Sequence, residues 1–122
     1  SRYSWSSFSY TTNPDFRPTA IVRLPDGAYA TLERAFDVVR GVRVRVMRFE
    51  AAQLQPGGTV TPEELAFLAT PYAVDNLEGL SATRGTRGET LLWLISDDNF
   101  NPLQRNILML FELPQSPLRS AK

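Results

Sequence analysis

The chain contains no cysteine and no histidine. The first absence excludes disulfide scaffolds and cysteine nucleophiles. The second excludes Ser-His-Asp triads and histidine-ligated haem, and the two together exclude ordinary zinc sites. Lysine is nearly missing too: of 13 basic residues, Lys122 alone is not arginine. An excess of one charge is also lacking, because 13 basic residues balance 13 acidic ones. There is therefore no global basic footprint for nucleic acid and no acidic tail. No apolar run approaches the roughly 20 residues of a membrane-spanning helix. Whatever chemistry the chain performs must rest on carboxylates, arginines, amides, hydroxyls or a hard metal held by oxygen. We expect no haem, no zinc and no nucleotide cofactor.

What remains is an ordinary globular composition. The 122 residues are 43% hydrophobic and 21% charged, which is room for one domain. The arginine bias reads most simply as genomic base composition, with phosphate-binding arginines as the sharper alternative. The chain opens Ser1-Arg2-Tyr3-Ser4, without an initiator methionine or a signal peptide, and reads as a processed or excised piece.

The pattern along the chain is that of strands. Tyr3, Trp5, Phe8 and Tyr10 are interleaved with serines, as in an edge strand, and Asn13-Pro14-Asp15 breaks it. Residues 19–24 and 28–34 flank Pro25-Asp26-Gly27, which predicts a hairpin. Val42 to Val46 alternates strictly between apolar residues and Arg43 and Arg45. The arginine face, with Arg48, reads as solvated or as a phosphate attractor. Thr61-Pro62-Glu63-Glu64 carries helix-start chemistry, so a short helix is expected near 62–69, ended by Pro71. Residues 77–83, the turn 84–88, the apolar run 90–96 and the segment 105–113 complete a second strand-rich part. The run 90–96 predicts a strand buried on both faces.

The two strand-rich parts repeat each other. Val46-Met47-Arg48-Phe49-Glu50 matches Leu108-Met109-Leu110-Phe111-Glu112, at a distance of roughly 60 residues. The expected fold class is all-β and mainly antiparallel, with β-propeller-like blades, about two blades of a larger propeller. The units are 17–50 and 74–113, with an insertion at 51–71 and a tail at 114–122. A self-contained β-sandwich is the weaker alternative.

Hairpin geometry then gathers the acidic residues. Asp75, Glu78, Asp97, Asp98 and Asn99 fall at one rim, opposite the glycine turns; Glu33 and Arg34 occupy the matching end of the first unit. Clustered carboxylates repel one another unless a cation compensates, and calcium suits oxygen donors, with magnesium as the alternative. The same residues also serve as turn caps or ion-pair partners, with Glu33 against Arg34 or Arg105.

Several stretches resemble a known family. They are Arg17-Pro18-Thr19, Leu24-Pro25-Asp26-Gly27, Leu32-Glu33-Arg34, residues 74–80 (Val-Asp-Asn-Leu-Glu-Gly-Leu) and residues 95–105, which begin Ile95-Ser96-Asp97-Asp98-Asn99 and end at Arg105. In that order they resemble the carboxy-terminal part of the bacterial "esterase-like activity of phytase" family. The resemblance implies a propeller-like domain exported to the periplasm, and a phosphoester-hydrolase role attributed to acidic residues. It nominates Glu33, Asp75, Glu78, Asp97 and Asp98. A metal-assisted hydrolase would then use Glu33, Glu78 and Asp97 as catalytic residues, Arg34, Arg105 and Asn99 as substrate-binding residues, and Asp75 and Asp98 as ligands of calcium. The resemblance also implies that the rest of a longer chain, or copies of this one, cover the open sheet edges. A non-catalytic propeller that binds a partner at the same rim is the rival expectation.

Overall fold

The computed structural model describes residues 4–69, 77–96 and 108–113. Nine strands are defined among them. They are β1 (Ser9–Tyr10), β2 (Arg17–Arg23), β3 (Tyr29–Asp37), β4 (Gly41–Phe49), β5 (Thr59–Val60), β6 (Glu63–Ala69), β7 (Leu77–Arg84), β8 (Thr90–Ser96) and β9 (Leu108–Glu112). A 3-10 turn at Ala51–Gln53 separates β4 from β5. The strands form an antiparallel sheet in the order β2-β3-β4-β6 and a second one in the order β7-β8-β9. A small parallel pair, β1-β5, makes a third layer.

The turn between β2 and β3 follows from its residues. Leu24 N–H donates to Ala28 O, and Gly27 N–H donates to Leu24 O. Asp26 Oδ1 accepts from Ala28 N–H at 2.9 Å, and Gly27 takes φ 93°, which a side chain resists. The turn between β7 and β8 is built the same way. Gly85 N–H donates to Glu89 O, Gly88 N–H donates to Gly85 O, and Gly88 has φ 81°.

The repeat is therefore a structural fact, and registers align it residue by residue. Leu32 sits between Ala20 and Val46, and Trp93 sits between Ser81 and Leu110. Even a salt bridge recurs with its signs exchanged. Asp26 in the first turn pairs with Arg48 of β4 at 3.1 Å; Arg87 in the second pairs with Glu112 of β9 at 3.2 Å. This register corrects the sequence match by two residues. Leu108–Glu112 corresponds to residues 44–48, because Ala30 faces Arg48 as Leu91 faces Glu112. A shift of two keeps each side chain on its face.

One core joins the two large sheets. Leu24, Ala30, Leu32, Val44 and Val46 meet Leu77, Leu92 and Leu94, all but sealed from solvent. Each such aliphatic side chain contributes about 1.5–3 kcal/mol by leaving water. The first strands of the two sheets, β2 and β7, lie against each other. Each meander is completed before the next begins. That is how successive blades of a propeller-like domain are laid down, whereas Greek-key sandwiches return strands to the earlier sheet.

Three expectations are corrected. Residues 63–69 form strand β6 on β4, not a helix. The apolar run of β8 is not buried on both faces: Leu92 and Leu94 are sealed, whereas Ile95 is half exposed. The arginine face of β4 is not solvated, because β4 lies inside its sheet and residues 10–16 and β5 cover that face.

Candidate functional site

The strongest polar cluster among the described residues surrounds Glu33. Its position follows from the strand: β3 alternates, so Leu32 enters the shared core while Thr31 and Glu33 point to the opposite face. There Glu33 is fully buried. Arg45, its cross-strand neighbour on β4, donates to Oε1 through Nε at 3.1 Å and again through Nη2. Thr12 Oγ1 donates to Oε1 at 3.0 Å, and Tyr10 OH donates to Oε2 at 2.7 Å.

Tyr10 OH also lies 2.6 Å from Thr31 Oγ1. A carboxylate only accepts, so Tyr10 spends its proton on Glu33 and Thr31 must donate to the phenol oxygen. Burial, with the Glu33 carboxylate beside it, raises the Tyr10 phenol pKa well above its ordinary value. The Arg45 guanidinium lies over the Phe16 ring at 4.2 Å, and Arg43 lies over the same ring at 5.2 Å. The N-terminal segment is thereby fastened to the sheet by one buried charge pair, two hydroxyls and one ring.

This arrangement limits what Glu33 can do. Both carboxylate oxygens are engaged, and a guanidinium balances the charge. The donor set leaves no demand for a cation at Glu33. Arg34, next in sequence, points to the other face, with Leu32 and Val44, and stands opposite Arg17. The expected pairing of Glu33 with Arg34 is replaced by Glu33 with Arg45.

The other expected residues separate into two groups. Glu78 belongs to β7, at the register shift between Leu77 and Gly79. Asp75, Asp97, Asp98, Asn99 and Arg105 lie outside the described residues. Among the described residues, no group of three or more acidic side chains stands ready to hold a metal. Sequence reasoning missed Tyr10, Thr12 and Arg45 as partners of Glu33, and Phe16 as the ring beneath Arg45. The alternation of residues 42–46 did mark an arginine face, but nothing local says that the N-terminal segment lies on it.

Fold and repeat define the class: an all-β protein of consecutive antiparallel meanders, propeller-like in its chain order. A family model described as phytase-like, esterase-like activity of phytase, matches residues 1–100. The chain belongs to that family. No curated protein and no solved structure matches it.

Proposed function

We propose that this chain contributes the reacting face of a phosphoester hydrolase, at the end of the second sheet where Leu77 pairs with Ser96. That pairing carries the reading. Asp75 and Glu78 flank Leu77 in sequence, and Asp97, Asp98 and Asn99 follow Ser96, so acidic segments attach to both partners of one cross-strand pair. Membership of a phytase-like family agrees with a phosphoester substrate. Arg34 supports it as well: it shares a face with Leu32 and Val44, which pack in one core with Leu77.

In this reading Glu78 or Asp97 acts as general base toward the attacking water. Asp75 and Asp98 are cation ligands. Arg34 and Arg105 hold phosphate oxygens, and Asn99 hydrogen-bonds the substrate. Oxygen-only donors suit calcium, which when bound would offset the carboxylate charge and lower the pKa of a water. The same reading places the protein outside the cytoplasm, where calcium is plentiful. Glu33 takes no part, because its oxygens are already engaged.

The test is hydrolysis of p-nitrophenyl phosphate and of bis(p-nitrophenyl) phosphate, with calcium and with chelator. Asp97→Asn is expected to lower kcat by about 100-fold or more, the usual scale for a general base. Absence of turnover by the unmodified protein on both esters would remove the proposal. One observation favours a second reading, a binding module without catalysis: the best-formed acidic residue, Glu33, serves to hold the fold together.

A further inference from the structure

The β3-β4 hairpin carries apolar residues where a turn is ordinarily polar. Phe36, Val38 and Val39 are 61%, 91% and 88% exposed. The registers show why they stand clear. Among the described residues, β2 accompanies β3 only as far as the Arg17–Arg34 pair, and β6 accompanies β4 only as far as Arg43–Ala69. The β3-β4 ladder runs on through Phe36–Val42 to Asp37–Gly41. The tip therefore projects beyond both flanking strands.

The turn is prepared to leave water. Asp37 Oδ1 accepts from Val39 N–H at 2.7 Å and from Arg40 N–H at 3.1 Å, and Oδ2 accepts from Arg40 Nη2 at 3.4 Å. One carboxylate thus satisfies two turn N–H groups and is itself balanced by Arg40, which lowers the cost of desolvating all of them. Behind the tip the hairpin is basic. Arg43 lies two ladder steps from the Asp37–Gly41 pair, and Arg17 lies three. At about 3.3 Å per residue, they stand about 7–10 Å back. Arg45 and Arg48 are each held by a carboxylate. Arg17 and Arg43 have no acidic partner among the described residues: Arg43 rests on the Phe16 ring, and its Nε is buried without a hydrogen bond.

We propose that this hairpin docks on the surface of an anionic lipid bilayer. Phe36, Val38 and Val39 enter the interface, and Arg17, Arg40 and Arg43 meet the lipid phosphates. Shape and charge both select a bilayer. A projecting tip enters a fluid interface without a socket shaped to receive it. Interfacial segments bury about 5–10 Å into the boundary between headgroups and acyl chains, a depth that brings the arginines level with the phosphates. Positive charge that the chain leaves uncompensated is what an anionic surface attracts. No residue given a role in hydrolysis belongs to the tip or to these arginines, so the proposal stands apart from that reading.

Flotation of the full chain with vesicles tests it. The chain is expected to float with vesicles of equal parts phosphatidylcholine and phosphatidylglycerol, to stay behind with phosphatidylcholine alone, and to leave the mixed vesicles in high salt. Arg17→Gln is expected to weaken binding about 5-fold, the effect of one charge at an anionic surface. Val38→Ser with Val39→Ser is expected to weaken it about 10-fold or more. Both variants alter exposed residues, so their circular dichroism spectra should match that of the unmodified chain. The protein has no cysteine, so Val39→Cys and Ala52→Cys each carry a single polarity-sensitive dye. Ala52 is exposed in the 3-10 turn beyond the other end of β4. On mixed vesicles the dye at position 39 is expected to shift to the blue, and the dye at position 52 is not. No flotation, equal flotation with both vesicles, binding that survives the double substitution, or a shift at 52 without one at 39 overturns the proposal. So does a dye at 39 that is already shifted without vesicles, as it would be if a second copy covered the tip.

Discussion

Arg45, Tyr10 and Thr12 hold one carboxylate, and removing each should have a different effect. Arg45→Ala leaves Glu33 buried and without its counter-charge, which typically costs about 3–5 kcal/mol. Urea unfolding should read a loss of that size, whereas Thr12→Ala should cost about 1–3 kcal/mol, as for one hydrogen bond to a charged group. Tyr10 adds a pH dependence with a definite sign. Its phenol pKa lies above the unfolded value of about 10, so the folded state holds that proton more tightly. The resulting stabilisation is complete below about pH 10 and is lost as pH rises toward the folded pKa. Unfolding free energies from pH 8 to 11 should fall more steeply for the unmodified chain than for Tyr10→Phe; parallel curves would contradict the buried phenol. Glu33 stands out in the sequence because Leu32-Glu33-Arg34 is one of the stretches that carry the family resemblance. Its role does not, because its three partners, Tyr10, Thr12 and Arg45, all lie 12 or more positions away.

β6 shows at the level of elements why local signals mislead. Thr61-Pro62-Glu63-Glu64 has the chemistry of a helix start, yet Glu63 faces Arg48, and Glu64 lies within 3.9 Å of Arg45. The open edge of β4 and its arginines offer seven residues a ladder and opposite charges, and this outweighs the weak helix preference of so short a segment. The hairpins were legible because turn residues act within a few positions: Pro25, Asp26 and Gly27 in the first, Gly85 and Gly88 in the second. β7 contains a sharper constraint. A Cβ at Gly79 would overlap Cγ2 of Ile95, a branched side chain that cannot easily turn aside. Replacing glycine by alanine in a strand ordinarily gains about 0.4–1 kcal/mol through the unfolded chain. Here the overlap should win, with Gly79→Ala costing about 1–3 kcal/mol as overpacking does. Gly79→Ala combined with Ile95→Ala should recover most of that loss in thermal melts. Additive losses would show that the two residues do not meet.

The molecule as a whole is held by one core that two sheets share, and its class was readable because alternation and the repeated turn are local signals. The repeat also explains why the two faces of the second sheet differ in a way that composition conceals. Leu91 to Ile95 reads as uniformly apolar, but Leu92 and Leu94 enter the core, while Trp93 repeats the position of Leu32, which packs on another sheet, and Ile95 that of Arg34. The acidic site was less legible for a related reason: hairpin pairing fixes where strands begin and end, not which side chains meet beyond them. If the core is shared, the sheets cannot unfold separately. Leu94→Ala removes a fully buried side chain that meets residues of both sheets, at a cost of about 2–5 kcal/mol. Amide exchange should then show β3 and β8 losing protection by the same amount, although the substitution lies in β8 alone. Under denaturant, Trp93 fluorescence should report the same midpoint as the amides of β3. A β8 that opens at lower denaturant than β3 would mean that the sheets adjoin without sharing stability, and the first sheet with its Glu33 clasp would then be the folding unit.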